Sequence, residues 1–134
     1  MKMGIVVSET YWTDITRKML ALAQETAAQA GVEIETVRVP GSFDIPLSVK
    51  KFVQRKDIQG VVTLGAVIQG ETDHDQVICQ AVAKALIDLS LEFEKPVVLG
   101  INGPKMTFRQ AQARIPRAAE VMKAGIALAR MIPC

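Results

Sequence analysis

Aromatic side chains are scarce in this chain: four Phe, one Tyr and one Trp make up 4% of its 134 residues. With 49% apolar residues, the core must be aliphatic, built from Ala, Val, Ile and Leu, and the length suits one domain, residues 1–134, with a real core. Cysteine is nearly absent. Cys79 and Cys134 stand alone, with neither metal spacing nor a disulfide framework, so a reduced, cytoplasmic setting is expected. A single histidine among scattered carboxylates makes no ligand set, and no metal is expected. A net charge of +2, with basic residues scattered and not interleaved with aromatics, argues against a nucleic-acid surface. No apolar run is long enough to span a membrane, and the N-terminus enters the apolar stretch Gly4 to Val7 directly, so neither a membrane partner nor a signal peptide is expected. Neither GxxxxGK[ST] nor GxGxxG occurs, which disfavours nucleoside triphosphates and dinucleotides.

What is present alternates between strand and helix patterns. Met3 to Ser8 reads as a strand. Ile15, Met19, Leu22, Thr26 and Ala30 recur at helical spacing, closed by Gly31. Val32 to Val39 is β-branched and alternates in polarity. Pro40-Gly41 breaks it, and Ile45, Val49, Phe52 and Val53 mark a second helix with Pro46 in its first turn. Val61 to Ile68 is a third strand. A long helix follows over about Asp73 to Phe93, with Val77, Ala81, Ala85 and Leu89 predicted on its buried face. Pro96 to Ile101 is a fourth strand, Asn102-Gly103-Pro104 a turn, and helical pattern resumes near Thr107, breaks at Pro116 and continues to about Met131. The alternation predicts an α/β fold with a four-stranded parallel sheet covered on both faces by helices. A small sheet with two edges and an Ala-rich last helix (Ala118, Ala119, Ala124, Ala127, Ala129) together suggest that further copies of the chain cover apolar surface.

The densest chemistry lies in Gly65-Ala66-Val67-Ile68-Gln69-Gly70-Glu71-Thr72-Asp73-His74-Asp75, where a buried strand ends in glycines and turns polar before a helix. Ligands of open α/β sheets bind at the carboxyl ends of strands, and a helix N-terminus offers free N–H groups to an anion. Backbone amides and the Thr72 hydroxyl suit a phosphate, although Thr72 or Asp73 serves equally well as a plain helix cap. His74 suits proton transfer near neutral pH, with Asp75 or Asp73 available to orient its ring; an exposed histidine in a first helical turn is the blander alternative. Phe43, in Pro40-Gly41-Ser42-Phe43-Asp44-Ile45-Pro46, is placed to flank a flat heterocycle, although on these residues alone a core position beside Asp44 as a cap is the simpler reading. Tyr11-Trp12 after the first strand is a stacking pair or a helix-entry contact. Arg109, Arg114 and Arg117 offer a phosphate clamp or ordinary solvated helix charge.

Taken in order, Gly41-Ser42-Phe43-Asp44-Ile45-Pro46, Gly65 to His74 and Lys95-Pro96-Val97-Val98-Leu99-Gly100-Ile101 resemble lumazine synthases, and Gly103-Pro104 with Met106-Thr107 and Arg109 to Arg114 resembles the archaeal branch of that family. The resemblance covers nearly the whole chain. It implies a flavodoxin-like three-layer α/β/α fold and condensation of 5-amino-6-(D-ribitylamino)uracil with 3,4-dihydroxy-2-butanone 4-phosphate to 6,7-dimethyl-8-ribityllumazine, phosphate and water, the penultimate step of riboflavin synthesis, with no cofactor. It implies that Ser42, Phe43, Asp44, Ala66, Val67, Ile68 and Leu99 hold the pyrimidine substrate, with Tyr11 or Trp12 stacking on it. Glu71, Thr72 and Arg114 would bind the phosphate, and His74 would move protons. It also implies a homopentamer with sites between subunits, free or closed into an icosahedral shell of about sixty chains. Two departures from the family pattern stand out: the first strand-end loop, Ser8 to Asp14, is one residue longer, and Ile115-Pro116-Arg117 replaces a glycine-rich bend.

Overall fold

The computed structural model describes residues 1–132; Cys134, read above as an isolated thiol, lies outside the described residues. Strand β1 is Lys2–Ser8, β2 is Glu33–Val39 and β3 is Gly60–Ala66. The fourth strand position is occupied by two short pieces, β4 (Val97–Val98) and β5 (Ile101–Asn102). All pairings are parallel, in the order β2-β1-β3-β4, with β5 also on β3. Every residue of β3 is buried, as a central parallel strand covered on both faces requires, and that is why its sequence is a continuous apolar run.

The expected single fourth strand is corrected to two because Thr63 intrudes on the ladder. Its Oγ1 donates to the Val98 carbonyl (2.8 Å) and accepts from the Gly100 N–H (3.2 Å). The hydroxyl thus takes the place of a backbone acceptor for the Gly100 N–H, while the Gly100 carbonyl still accepts the Gly65 N–H at 3.4 Å. A side chain at position 100 would run into the Thr63 carbonyl oxygen, so only glycine passes there.

The helices are α1 (Arg17–Gln29), α2 (Ile45–Val53), α3 (His74–Phe93), α4 (Phe108–Ala113) and α5 (Arg117–Met131). Met3, Ile5 and Val7 of β1 with Val62, Leu64 and Ala66 of β3 form one face, packed against Ile15, Met19, Ala23 and Ala27 and against Ala118, Met122 and Ile126. The other face carries Val6 and Val61 and packs against Ile45, Val49, Phe52 and Val53 of α2 and Val82 and Leu86 of α3. This is the period-two division that a pleated strand imposes. In α1 the buried line is Met19, Leu20, Ala23, Thr26 and Ala27, while Ala30 is exposed at the helix end, where Gly31 follows at φ +71°.

The predicted buried face of α3 is also corrected. Asp75, Val82 and Leu86 are buried, and Ile78, Leu89 and Phe93 are partly buried, whereas Val77 and Ala81 are exposed. This helix is apolar on more than one side, with Val77, Ile87 and Leu91 open to solvent, so periodicity alone does not select the inward stripe. In α5, Ala118 and Ala129 are buried while Ala124 and Ala127 are exposed.

Candidate active site

The chain reverses its direction of sheet growth between β1 and β3, so their carboxyl ends flank a topological switch point, where open α/β sheets hold ligands. Three loops rise there, after Ser8, after Val39 and after Ala66. The first two are joined by Glu9 N–H to the Val39 carbonyl (2.7 Å) and by Thr10 Oγ1 to the Pro40 carbonyl (3.0 Å).

The first loop turns in two steps. Tyr11 takes a left-handed backbone (φ 60°), and Trp12–Thr16 winds as one π-helical turn before α1. Ile15 and Thr16 both donate to the Tyr11 carbonyl, at 2.9 and 3.1 Å. Such wide turns accommodate one residue more than an α-turn. The two aromatics part company as a result. Trp12 lies half-buried under the Arg38 guanidinium, 3.6 Å from the ring centre, and Arg38 is paired with Glu9 at 2.9 Å. Tyr11 is exposed and meets Phe108, the first residue of α4, edge to face at 5.7 Å.

In the second loop, Asp44 turns its carboxylate back onto the Gly41 N–H (3.0 Å) and donates its own N–H to the Gly41 carbonyl (3.0 Å). It stands at the N-cap of α2 without a side-chain cap bond. Phe43 is 64% exposed, so the alternative that places it in the core is excluded. Ser42 is buried and its Oγ has no hydrogen-bond partner among the described residues. That hydroxyl sits against Gly65, where an added Cβ would approach it to 2.7 Å.

The third loop leaves the sheet through Ala66 and Val67, both buried, and Ile68, half-buried. It is tied to the chain after β5 by Val67 N–H to the Asn102 carbonyl and Gln69 N–H to the Met106 carbonyl, both 2.8 Å. Beyond Gln69 the support stops. Among the described residues, the backbone N–H groups of Gly70, Glu71, Thr72 and Asp73 make no hydrogen bond. Asp73 is the N-cap of α3 without a side-chain bond, and Thr72 Oγ1 accepts the His74 N–H at 3.3 Å. Four consecutive free donors leading into a helix N-terminus are of the kind that suits an anion, and His74, exposed, follows them.

The expected orientation of the His74 ring by an aspartate is not observed. Asp75 is 3% exposed and accepts the Lys105 N–H at 2.9 Å. Successive helical residues point about 100° apart, as 3.6 residues per turn requires, so an inward Asp75 leaves His74 outward. Among the described residues the imidazole has no hydrogen-bond or ion-pair partner.

Leu99 and Arg114 stand apart from these loops. Leu99 follows Val98, the partner of Val62, and lies about three residues, roughly 10 Å, below the end of β3. It is 48% exposed and helps line a cleft of about 200 Å³ with Cys79, Gln80, Ala83, Ile101, Gly103 and Pro104. Burial and then the neighbouring Asp75 push the Cys79 thiol above its ordinary range. Arg114 ends α4 and is exposed; like Arg109 and Arg117, it forms no ion pair among the described residues. A separate hollow of about 400 Å³ at the opposite end of the sheet, beside Ile58, Phe93 and Pro96, contains none of the candidate groups. Among the described residues no group of three or more His, Cys, Asp or Glu side chains is gathered to hold a metal ion, and no helix is long and apolar enough to cross a membrane.

Sequence reasoning missed Arg38 and Phe108, and assigned Asp75 to the His74 ring when its partner is the Lys105 N–H. Arg38, an arginine at the end of an alternating strand, carried no signal of its ring partner. Asp75, an acidic residue within an otherwise apolar helical stripe, did carry one.

A family model described as 6,7-dimethyl-8-ribityllumazine synthase matches residues 1–132. The chain is 49% identical over 131 residues to a protein of that name from Methanosarcina mazei, covering 97% of each chain. It is 47% identical over 132 residues to one from Picrophilus torridus, covering 98% of this chain and 96% of the other. A third, from Methanobrevibacter smithii, is 48% identical over 124 residues, 92% of this chain and 89% of its own.

Proposed function

The chain belongs to the 6,7-dimethyl-8-ribityllumazine synthase family, and from that premise we propose that it catalyses the lumazine-forming step of riboflavin biosynthesis. Its substrates are small molecules, 5-amino-6-(D-ribitylamino)uracil and 3,4-dihydroxy-2-butanone 4-phosphate. The observation that carries the reading is the run of four free amides, Gly70 to Asp73, ending beside the only histidine of the chain. Free N–H groups suit the ester phosphate, and the imidazole suits the proton transfers that follow.

In this reading the ring amine attacks the butanone carbonyl, and water leaves to give an imine. Phosphate then departs by elimination, giving an enol that tautomerises. Ring closure through the second nitrogen releases a second water. His74 moves protons between these stations, and Glu71 and Thr72 bind the phosphate, Glu71 through its backbone. The unpartnered Ser42 hydroxyl, the Phe43 ring, the backbone near Asp44 and the Ala66-Val67-Ile68 wall hold the pyrimidine. Tyr11 stacks on it, because the Trp12 face is already covered by Arg38. Much of the rate comes from holding two substrates in one pocket.

Leu99 and Arg114 complete the site of a neighbouring copy, and the active form is a homopentamer, free or closed into a shell, in a cytoplasmic setting. The apolar side chains open on the outside of one chain, among them Leu47, Val77, Ile87 and Leu91, support an assembly that covers them.

The test is to mix the purified protein with both substrates and follow lumazine fluorescence. Product formation above the spontaneous background is expected. Folded, oligomeric protein that forms none would overturn the reading.

A further inference from the structure

Asp75 is a buried carboxylate for which the reaction has no direct use, and it lies one residue from His74. Its carboxylate accepts the Lys105 N–H at 2.9 Å and is 3% exposed. A charge so placed is costly unless it is hydrogen-bonded. Here the Lys105 N–H supplies that hydrogen bond.

The donor is as unusual as the acceptor. Lys105 has φ 60°, and Gly103, two residues before it, has φ 142°. Gly103 is packed so closely that an added Cβ would reach the Val67 carbonyl oxygen at 2.7 Å and the Cys79 sulfur at 3.3 Å. This turn therefore holds a backbone shape that ordinary residues rarely adopt. The same turn supports the phosphate loop, since Met106, the next residue, accepts the Gln69 N–H at 2.8 Å. Beyond Gln69 no backbone bond holds the loop until α3 begins. Its two ends are consequently fixed to a single support, at Gln69 through Met106 and at Asp75 through Lys105.

We propose that Asp75 is a positioning residue, whose carboxylate clamps the Gly103–Met106 turn to the start of α3 and so sets the distance between the free amides of Gly70 to Asp73 and the His74 imidazole. The inference rests on the assignment of that loop to the butanone phosphate. Asp75 touches no substrate; it acts through the turn.

The experiment compares Asp75→Ala and Asp75→Asn with the unaltered chain, by hydrogen exchange and by steady-state kinetics for each substrate. Asparagine keeps an oxygen for the Lys105 N–H; alanine does not. Loss of a buried hydrogen bond predicts exchange about tenfold faster at Gln69, Lys105, Gln76 and Val77 in Asp75→Ala, with α1 and α5 unchanged. The KM for butanone phosphate rises and kcat falls, each by about tenfold, while the KM for the pyrimidine stays put. Asp75→Asn restores both sets of values. Unchanged exchange in Asp75→Ala overturns the proposal, as does a uniform shift of both KM values with thermal stability, the mark of a merely structural role. If Asp75→Ala does not fold, Asp75→Asn decides alone: near-native exchange and KM support the clamp, and a large change in either overturns it. Should the unaltered chain form no lumazine, the proposed reaction fails, while the exchange data still judge the clamp.

Discussion

The Arg38 guanidinium lies 3.6 Å from the centre of the Trp12 ring and is itself paired with Glu9. That arrangement separates two neighbouring aromatics that sequence alone leaves equivalent. Trp12→Ala is expected to lower stability by about 2–4 kcal/mol through lost packing and the lost cation–π contact, with little change in the pyrimidine KM. Tyr11→Ala is expected to leave stability nearly unchanged and to raise that KM by about three- to tenfold, the worth of one stacking contact. Melting curves and KM values for the two variants check the assignment, and an exchange of the two phenotypes would sink it.

His74→Ala is expected to slow kcat by about a hundredfold, the lower end of what a positioned acid–base contributes, leaving measurable turnover. Proximity remains when the imidazole is gone. Single-turnover fluorescence gives the number, and activity lost to the level of unfolded protein would contradict a reaction driven largely by proximity.

Arg114→Ala is expected to raise the KM for butanone phosphate by about tenfold or more, since a hydrogen bond to a charged group contributes about 1.5–3 kcal/mol. The pyrimidine KM should hold. Equal KM values in variant and parent would remove Arg114 from the phosphate site.

Gly65→Ala forces a methyl to 2.7 Å from Ser42 Oγ. Overpacking of this kind costs about 1–3 kcal/mol, and urea unfolding should show it. Removing the hydroxyl in the double variant Gly65→Ala, Ser42→Ala is expected to return part of that loss. A double variant no more stable than the single one would mean that the crowding lies elsewhere.

Away from the site, Arg55 binds Glu35 at 2.6 Å and Asp57 at 2.8 Å, and Lys2 adds a 3.2 Å contact to Glu35. The Arg55 hydrogen bond holds the Asp57 carboxyl down at about 2; Arg55 first and then Lys2 hold Glu35 below its usual value. Folded-state values below those of the unfolded chain mean that the folded chain binds fewer protons, so this stability is present above about pH 4 and is lost as pH falls toward 2. Arg55→Gln should lower the neutral plateau only slightly, because exposed pairs contribute little, and that difference should vanish as pH falls toward 2, which flattens the acid limb. An acid limb identical to that of the parent chain would show that other carboxylates set it.

Much of this architecture is legible in the residues themselves. The unbroken apolar run of β3 announces a strand covered on both sides, and Ile45, Val49, Phe52 and Val53 mark the inward face of α2 correctly. The helix-entry loop at Gly70–His74 is legible for the same reason: glycine, polar residues and the onset of helical period coincide there. Other features depend on partners distant in sequence. Thr63 reads as one more β-branched residue until its hydroxyl is seen bridging Val98 and Gly100, 35 and 37 residues away. The inward stripe of α3 is hidden because the helix is apolar on several sides, and Asp75 is read as an acid available to the His74 ring until its Lys105 partner, 30 residues on, is known.

The break at Leu99-Gly100 has a bearing on how copies of this chain can meet. An uninterrupted outer strand would present a row of unpaired amides and carbonyls, a template for indefinite strand-by-strand growth. Here that margin consists of two dipeptide rungs separated by a kink, with Leu99 turned outward between them. Neighbours cannot extend the sheet across such a margin. A margin of this kind discourages fibrous stacking.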